Sequence, residues 1–84
     1  MQKVYIIDAR RTPIGSFLGT LSNLHPRVYG ATVVKDILNR NKIDPATVDE
    51  LVIGNILPAG LGMNLARQIS MDAGIPQSVP AHNV

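Results

Sequence analysis

The sequence predicts an α/β fold in the order strand, helix, strand, helix and the start of a third strand. Two aliphatic runs, residues 4–7 and 51–57, are typical of buried strands. Apolar residues recur at helical spacing between these runs and again after the second. Only three residues are aromatic, so the core must be built from Val, Ile, Leu and Ala, which is typical of a parallel sheet covered by helices.

The first predicted strand, residues 4–7, is a short run of β-forming side chains, and we expect it to be buried on both faces. Residues 10–19 show no period and contain proline and glycines, which predicts a shaped loop. Its Arg10 and Arg11 could pair with Asp8, reach a partner or remain solvated.

The first predicted helix covers residues 26–41. Pro26 suits the first helical position because its missing N–H would be unpaired there anyway. The inward face at helical spacing consists of Arg27, Gly30, Ala31, Val34, Ile37, Leu38 and Asn41. We expect the small Gly30 and Ala31 to let this face approach the sheet closely, so that the helix and its two flanking strands form a right-handed βαβ unit. Asp44 is the candidate cap of a short turn that follows.

The second strand, residues 51–57, breaks at Pro58 and leads through a glycine loop into the second helix. Asn64 is the candidate cap of that helix. Its predicted inward positions are Leu65, Ala66, Ile69 and Ala73. Gly74 is placed to stop it, and residues 78–84 read as the start of a third strand.

Composition and charge exclude several classes of function. The net charge of +2 comes from cations scattered along the chain, so we expect no nucleic-acid partner. The absence of cysteine excludes disulfides, thiolate metal sites and a thiol nucleophile within these residues. No segment resembles a signal peptide or approaches membrane length, so we expect a cytoplasmic protein with no membrane partner. The 45% apolar share exceeds what a small domain could bury, which indicates a piece of something larger.

Motifs that could carry chemistry are weak when each is taken alone. The loop at Gly60 and Gly62 precedes a helix and could cradle a phosphate. However, Leu65 occupies the third glycine position of the dinucleotide fingerprint, so a conformational role is favoured. His25 and His82 have no acid at metal-ligand spacing, and the serines lack a His–acid arrangement.

Arg67 and Gln68 form the most informative polar pair. Both adjoin the apolar stripe of the second predicted helix, and arginine is favoured at protein interfaces. They are therefore candidates for contact with a protein partner, with ordinary solvated surface as the alternative.

A series of short motifs runs through the whole chain. The segment Arg11-Thr12-Pro13-Ile14-Gly15-Ser16-Phe17 is followed in order by Val48-Asp49-Glu50, Gly54-Asn55, Ala59-Gly60-Leu61-Gly62, Asn64, Ala66-Arg67-Gln68, Ala73-Gly74 and Val79-Pro80-Ala81. This series resembles the thiolases, the acetyl-CoA C-acetyltransferases, and most strongly the type that forms acetoacetyl-CoA.

Some residues depart from the family pattern. Met63 and Leu65 stand where this type usually has glutamine and proline, and Pro58 stands where glutamine is common. Lys42 replaces a glycine after the first long helix. Because a left-handed conformation costs a non-glycine residue about 1 kcal/mol, we expect Asn41 to adopt it instead.

The resemblance implies a five-layered α/β/α/β/α fold of two similar halves, assembled as dimers or tetramers. Residues 1–84 would be the N-terminal part of the first half. The implied reaction is Claisen condensation of two acetyl-CoA molecules, or thiolysis of a 3-ketoacyl-CoA. A cysteine at a helix start is acylated, a histidine activates it and a second cysteine moves the α-proton. Coenzyme A thioesters are the substrates, and no tightly bound cofactor or metal is implied.

The resemblance places no catalytic residue in this chain. The nucleophilic cysteine would come a few residues after Val84, and neither His25 nor His82 matches a catalytic histidine. The chain alone is therefore predicted to be inactive, with the remainder of a thiolase chain and a second subunit as its partners. The residues expected near the subunit interface, beside the active site, are Asn64, Arg67 and Gln68.

Two alternatives stay open. The chain could be a small non-catalytic α/β module that binds a partner through an exposed apolar edge. It could also be half of a ketoacyl synthase, although the early strands of that family lack the motif of residues 11–17.

Overall fold

The computed structural model describes residues 2–57 and 59–84. In chain order the elements are α1 (Pro26–Arg40), a 3-10 helix (Pro45–Thr47), β1 (Leu51–Ile53), α2 (Leu65–Asp72) and β2 (Ala81–Asn83). The strands pair in parallel, with Leu51 opposite Ala81 and Ile53 opposite Asn83. Since α2 connects them, β1, α2 and β2 form a βαβ unit, and the predicted α/β class is confirmed.

The predicted first strand, residues 4–7, is not formed. Its four side chains are 66–93% exposed, so the expected burial on both faces is wrong. A strand needs a neighbour that takes its backbone hydrogen bonds, and β-forming side chains cannot replace one. One edge of β1 pairs with the segment of β2, because the Leu51 N–H donates to the Pro80 carbonyl and the Asn55 N–H donates to the Val84 carbonyl. Residues 4–7 form no strand on the other edge of β1, so the predicted βαβ unit through α1 is not formed and the observed unit runs through α2.

The predicted second strand, residues 51–57, is confirmed only over β1. The side chains of Ile56 and Leu57 are 92% and 80% exposed. The apolar run predicted a longer strand because hydrophobicity alone does not show where backbone pairing stops. The predicted break at Pro58 lies outside the described residues. The third strand, predicted over residues 78–84, is confirmed only over β2, because residues 77–79 form a turn.

Helix α1 begins at Pro26 as predicted and ends at Arg40, one residue early. Ala31 and Leu38 of its inward face are buried. The expected close approach of Gly30 to the sheet is wrong, because α2 occupies the space beside it. A Cβ built on Gly30 would lie 2.5 Å from Cδ1 of Ile69, so glycine lets the two helices meet.

Two apolar clusters form the core. The first buries Ala31, Leu65 and Ile69, against which Leu51 and Ile53 of β1 pack. The second buries Leu38, Ile75 and Val79. Val34 of α1 contacts both clusters and joins them.

Helix α2 matches its predicted inward face, since Leu65, Ala66, Ile69 and Ala73 are all buried. Gly74 stops the helix in the left-handed conformation, with φ +82°. Its N–H donates to the Met71 carbonyl at 3.2 Å, and the Ile75 N–H donates to the Ser70 carbonyl at 2.9 Å. This is the Schellman arrangement that glycine favours.

The end of α1 has the same arrangement without glycine. Lys42 has φ +52°, whereas Asn41 has φ −98°, so the expectation that Asn41 takes the left-handed conformation is wrong. The Lys42 N–H donates to the Asn39 carbonyl at 3.3 Å, and the Ile43 N–H donates to the Leu38 carbonyl at 2.9 Å. Because Ile43 also packs on the second apolar cluster, the chain cannot shift its left-handed residue by one position.

The 3-10 helix confirms its predicted cap. The Asp44 carboxylate accepts the Ala46 N–H at 2.9 Å, and Pro45 is the first residue of the turn. This turn leads the chain from α1 into β1.

A two-pronged ion pair joins the first turn of α1 to the last turn of α2. The Nε and Nη2 atoms of Arg27 donate to the two carboxylate oxygens of Asp72, both at 2.7 Å. These hydrogen bonds hold the pKa of Asp72 below its ordinary value of 3.8, against the opposing effect of partial burial. The spacing placed Arg27 on the inward face but gave no sign of its partner.

Asp8 fastens the N-terminal segment to the end of α1. Nδ2 of Asn41 donates to Asp8 at 2.7 Å, and Nε of Arg10 lies 3.2 Å from Asp8, so one of the predicted arginine pairs is formed. Arg11 instead donates to the Thr12 carbonyl at 3.2 Å. The hydrogen bond from Asn41, aided by the charge of Arg10, lowers the pKa of Asp8.

Lys42→Gly should raise the free energy of unfolding by about 1 kcal/mol, because glycine adopts the left-handed conformation without the Cβ clash. Lys35→Gly is the matched control, since exposed Lys35 lies inside α1 and glycine there should cost about 1 kcal/mol. Urea unfolding followed by circular dichroism measures both. A destabilised Lys42→Gly variant would contradict the assignment of strain to this residue.

Acid should destabilise the protein through Asp72. Folding lowers the pKa of Asp72, so the folded state binds this proton less tightly than the unfolded state. The stabilisation is therefore present at neutral pH and is lost as the pH falls below about 4 through the folded value. Asp72→Asn should lower the urea midpoint at about pH 7 and flatten its decline as the pH falls below about 4.

Asp49→Asn serves as the control for this experiment, because Asp49 is an exposed carboxylate and its removal should leave the decline unchanged. Equal declines for Asp72→Asn and the unsubstituted chain would show that the ion pair does not contribute.

Candidate functional site

The carboxyl ends of β1 and β2 meet at one edge of the parallel pair. An open, mainly apolar cleft of about 510 Å³ lies there, lined by Gly54, Asn55, Ile56, Leu57 and Val84. In open α/β sheets, ligands bind outside the carboxyl ends of the strands. This edge is therefore the candidate site.

Backbone pairing continues past both strands into the cleft. The Val84 N–H donates to the Ile53 carbonyl at 2.8 Å, and the Asn55 N–H donates to the Val84 carbonyl at 3.1 Å. The side-chain Nδ2 of Asn55 is buried and has no hydrogen-bond partner among residues 2–57 and 59–84. An amide donor is thus held beside the cleft.

The glycine loop beside the cleft is shaped by Gln68. Nε2 of Gln68 donates to the carbonyls of Leu61 at 2.8 Å and Met63 at 3.0 Å. Gly60 and Gly62 both have positive φ, and a Cβ on Gly62 would lie 2.9 Å from Nε2 of Gln68. The glycines are therefore required by the loop conformation, which is the role the sequence favoured over a phosphate cradle.

Asn64 caps α2 as predicted and also ties it to β2. Its Oδ1 accepts the Arg67 N–H at 3.1 Å, and its Nδ2 donates to the Ala81 carbonyl at 3.2 Å. Asn64 is left-handed, with φ +45°, a conformation that asparagine tolerates better than most residues.

Asn83 completes this tie and was missed by the sequence analysis. Its Oδ1 accepts the Ala66 N–H at 3.0 Å, and its Nδ2 donates to Oδ1 of Asn64 at 3.1 Å. Two asparagines thus satisfy amides in the first turn of α2. The residue type could have indicated this role, since asparagine is depleted in strands and its side chain often hydrogen-bonds to nearby backbone groups.

The two histidines lie apart and have separate roles. Nδ1 of His25 accepts the Arg27 N–H at 3.1 Å and so caps α1, while Nε2 lies 3.1 Å from the Leu61 carbonyl. Because Nδ1 accepts, Nε2 carries the proton and donates to Leu61. Nδ1 of His82 lies 3.2 Å from the Glu50 carboxylate at an exposed position. His25 therefore links α1 to the glycine loop.

The three residues expected at a subunit interface surround the start of α2. Asn64 is exposed, while Arg67 and Gln68 are half-buried. Nη1 of Arg67 lies 3.4 Å from Oγ of the fully buried Ser70. Gln68 has an internal role in the loop, and contact of any of the three with a second subunit stays a prediction.

Among the residues that the structure describes, no group of three or more His, Asp or Glu side chains could hold a metal ion. Within the same residues, neither helix is long and apolar enough to cross a membrane.

Comparison with known proteins identifies a family. The family described as "Thiolase, N-terminal domain" matches residues 4–84. The rat protein named "Acetyl-CoA acetyltransferase, cytosolic" is 51% identical over 78 residues, which is 93% of this chain and 20% of the rat protein. The "Acetyl-CoA acetyltransferase" of Allochromatium vinosum is 42% identical over 83 residues, or 99% of this chain and 21% of that protein.

A solved structure agrees with these relatives. The Acat5 thiolase from Ascaris suum in complex with coenzyme A is 40% identical and superposes with a TM-score of 0.83, covering 88% of this chain and 19% of that one. The chain thus spans about a fifth of the length of the relatives it matches.

Gly62→Ala should destabilise the chain more than Gly60→Ala. Alanine at either position meets the left-handed penalty of about 1 kcal/mol, but only a Cβ on Gly62 also crowds Gln68. Adding Gln68→Ala to each variant should bring their urea midpoints together, since the crowded amide is then absent. An unchanged gap between the two double variants would show that Gln68 does not shape the loop.

Proposed function

Because the chain belongs to the thiolase family through its N-terminal domain, we propose that it is the N-terminal part of an acetyl-CoA acetyltransferase. The observation that carries this proposal is the match over residues 4–84 together with 51% identity to a protein of that name. The matching family model is that of thiolases and does not favour the alternative of a ketoacyl-synthase half.

The proposed reaction joins two molecules of acetyl-CoA. The α-carbon of one acetyl group attacks the thioester carbon of the other, which gives acetoacetyl-CoA and releases one coenzyme A. In the thiolytic direction, coenzyme A cleaves a 3-ketoacyl-CoA into acetyl-CoA and a shortened acyl-CoA. The thiolase resemblance divides the condensation into two steps, in which a cysteine of the enzyme takes the acyl group from one thioester with release of coenzyme A and then passes it to the second substrate. The 84 residues contain no cysteine.

The contribution of residues 1–84 is therefore positioning. Because β1 and β2 are parallel, their carboxyl ends both lie at the cleft. The hydrogen bonds of Asn64 and Asn83 fix the start of α2 against β2. We place residues 1–84 in the N-terminal thiolase domain, before the nucleophile. The acylated cysteine would follow β2 and so lie at the cleft.

A subunit contact near the start of α2 is part of the proposal. Arg67 supports it best, because the residue is half-buried and its guanidinium donates one long hydrogen bond, to Ser70, among the described residues. Asn64 is exposed beside it, and Gln68 would act through the loop that it shapes. The proposed assembly is a homo-oligomer.

Substrate and compartment follow from the relatives. The Ascaris thiolase was solved in complex with coenzyme A, which supports coenzyme A thioesters as the substrate class. The rat relative is named cytosolic, which supports a cytoplasmic site of action. A small interaction module remains the second candidate, favoured by the exposed apolar side chains of residues 4–7, Ile56 and Leu57.

A chimera tests the proposed function. The matching 78-residue segment replaces its counterpart in the rat cytosolic acetyl-CoA acetyltransferase. The chimera should catalyse thiolysis of acetoacetyl-CoA at a rate within about tenfold of the rat protein, since a tenfold change corresponds to only about 1.4 kcal/mol of barrier. The isolated 84-residue chain should show no turnover above background.

The unmodified rat protein, purified in parallel, is the positive control. A soluble chimera that has the oligomeric state of the rat protein but no activity would contradict the proposal. Turnover by the isolated chain would contradict the assignment of catalysis to residues beyond it.

A further inference from the structure

Asn55 carries a buried donor that nothing in the described chain satisfies. It lies two residues after β1, its backbone N–H donates to the Val84 carbonyl, and its Nδ2 is buried without a partner among residues 2–57 and 59–84. Buried amide groups are almost always hydrogen-bonded, because an unpaired one loses the hydrogen bonds that water would supply. The position of this donor therefore indicates an acceptor outside residues 2–57 and 59–84.

The direction of the acceptor follows from the backbone ladder. Beyond the strands, Val84 donates to Ile53 and Asn55 donates to Val84, so the pairing already advances into the cleft. In a parallel ladder, the next backbone N–H that donates to the Asn55 carbonyl would belong to the second residue after Val84. An extended segment in that place would run beside Asn55, and where it leaves the plane of the ladder its backbone carbonyls would come within reach of the Asn55 side chain.

The residues that line the cleft also suit an extended polypeptide segment. Gly54 presents no side chain, and the exposed side chains of Ile56, Leu57 and Val84 give the cleft an apolar lining. An extended polypeptide offers apolar side chains to such walls and a carbonyl to the single amide donor. A charged ligand would find no compensating charge among these lining residues.

We propose that Asn55 is a positioning residue, whose side-chain amide donates to a backbone carbonyl of the extended segment that continues β2 into the cleft. The inference rests on the proposed function, because that proposal supplies polypeptide after Val84. The segment is the one to which the thiolase resemblance assigns the nucleophile, so Asn55 would fix the place of the reacting group without touching the substrate.

The rat chimera provides the test by substitution. Asn55→Leu and Asn55→Asp have similar size and lack the N–H donor, so each should lower kcat about tenfold, the effect of losing one hydrogen bond, while KM changes less than about twofold. Asn55→Gln keeps an amide and should retain more activity than either. Asn39→Leu, at an exposed position of α1, is the matched control and should leave kcat unchanged.

A crystal structure of the unsubstituted chimera measures the contact without any variant. Nδ2 of Asn55 should lie within about 3.5 Å of a backbone carbonyl in the segment after Val84. A water, a side chain or a carbonyl from another part of the protein in that place would overturn the inference, even if the variants fail to fold. An inactive chimera with the predicted contact would contradict the proposed function and leave the role of Asn55 in the ladder intact.

Discussion

The contact between Gly30 and Ile69 determines how the rest of the molecule fits together. With no side chain on Gly30, α1 lies directly against α2, and Ile69 becomes the centre of the first apolar cluster. Since β1 packs on the same cluster, the two helices and the parallel pair share one core. A Cβ at position 30 would require the Ile69 side chain to move, because it would lie 2.5 Å from Cδ1 and 3.0 Å from Cγ1 of that residue.

Polar contacts fix how the helices, the glycine loop and β2 lie relative to one another. The Arg27–Asp72 ion pair joins the two helices, and a hydrogen bond between His25 and the Leu61 carbonyl joins α1 to the glycine loop. Asn64 and Asn83 lock the start of α2 to the end of β2. These contacts hold α1, the glycine loop, α2 and β2 together, and the cleft lies where the backbone pairing of β1 and β2 continues to Asn55 and Val84.

Apolar surface remains outside the core. Residues 4–7, Ile56 and Leu57 stay exposed, and Ile56 and Leu57 line the cleft. In a family whose compared members are about five times longer, such surfaces are where further polypeptide can pack. The exposed apolar side chains thus belong to a chain that spans about a fifth of the length of the relatives it matches.

The sequence by itself determined the α/β class, the start of α1 at Pro26, the caps at Asp44 and Asn64, the buried face of α2 and its stop at Gly74. These features depend on local hydrogen bonds and helical spacing, which neighbouring residues decide. It also carried the family motifs. The tertiary structure decided which apolar runs become strands, because residues 4–7 have the composition of a strand but no partner to pair with.

Tertiary contacts likewise decided that Gly30 meets a helix, that Lys42 and not Asn41 is left-handed, and that Arg27 pairs with Asp72. The candidate site divides in the same way. The Asn64 cap and the glycine loop could be predicted from spacing, but Asn83, His25 and the buried amide of Asn55 could not. Their roles depend on residues that are distant in the chain and meet only after it folds.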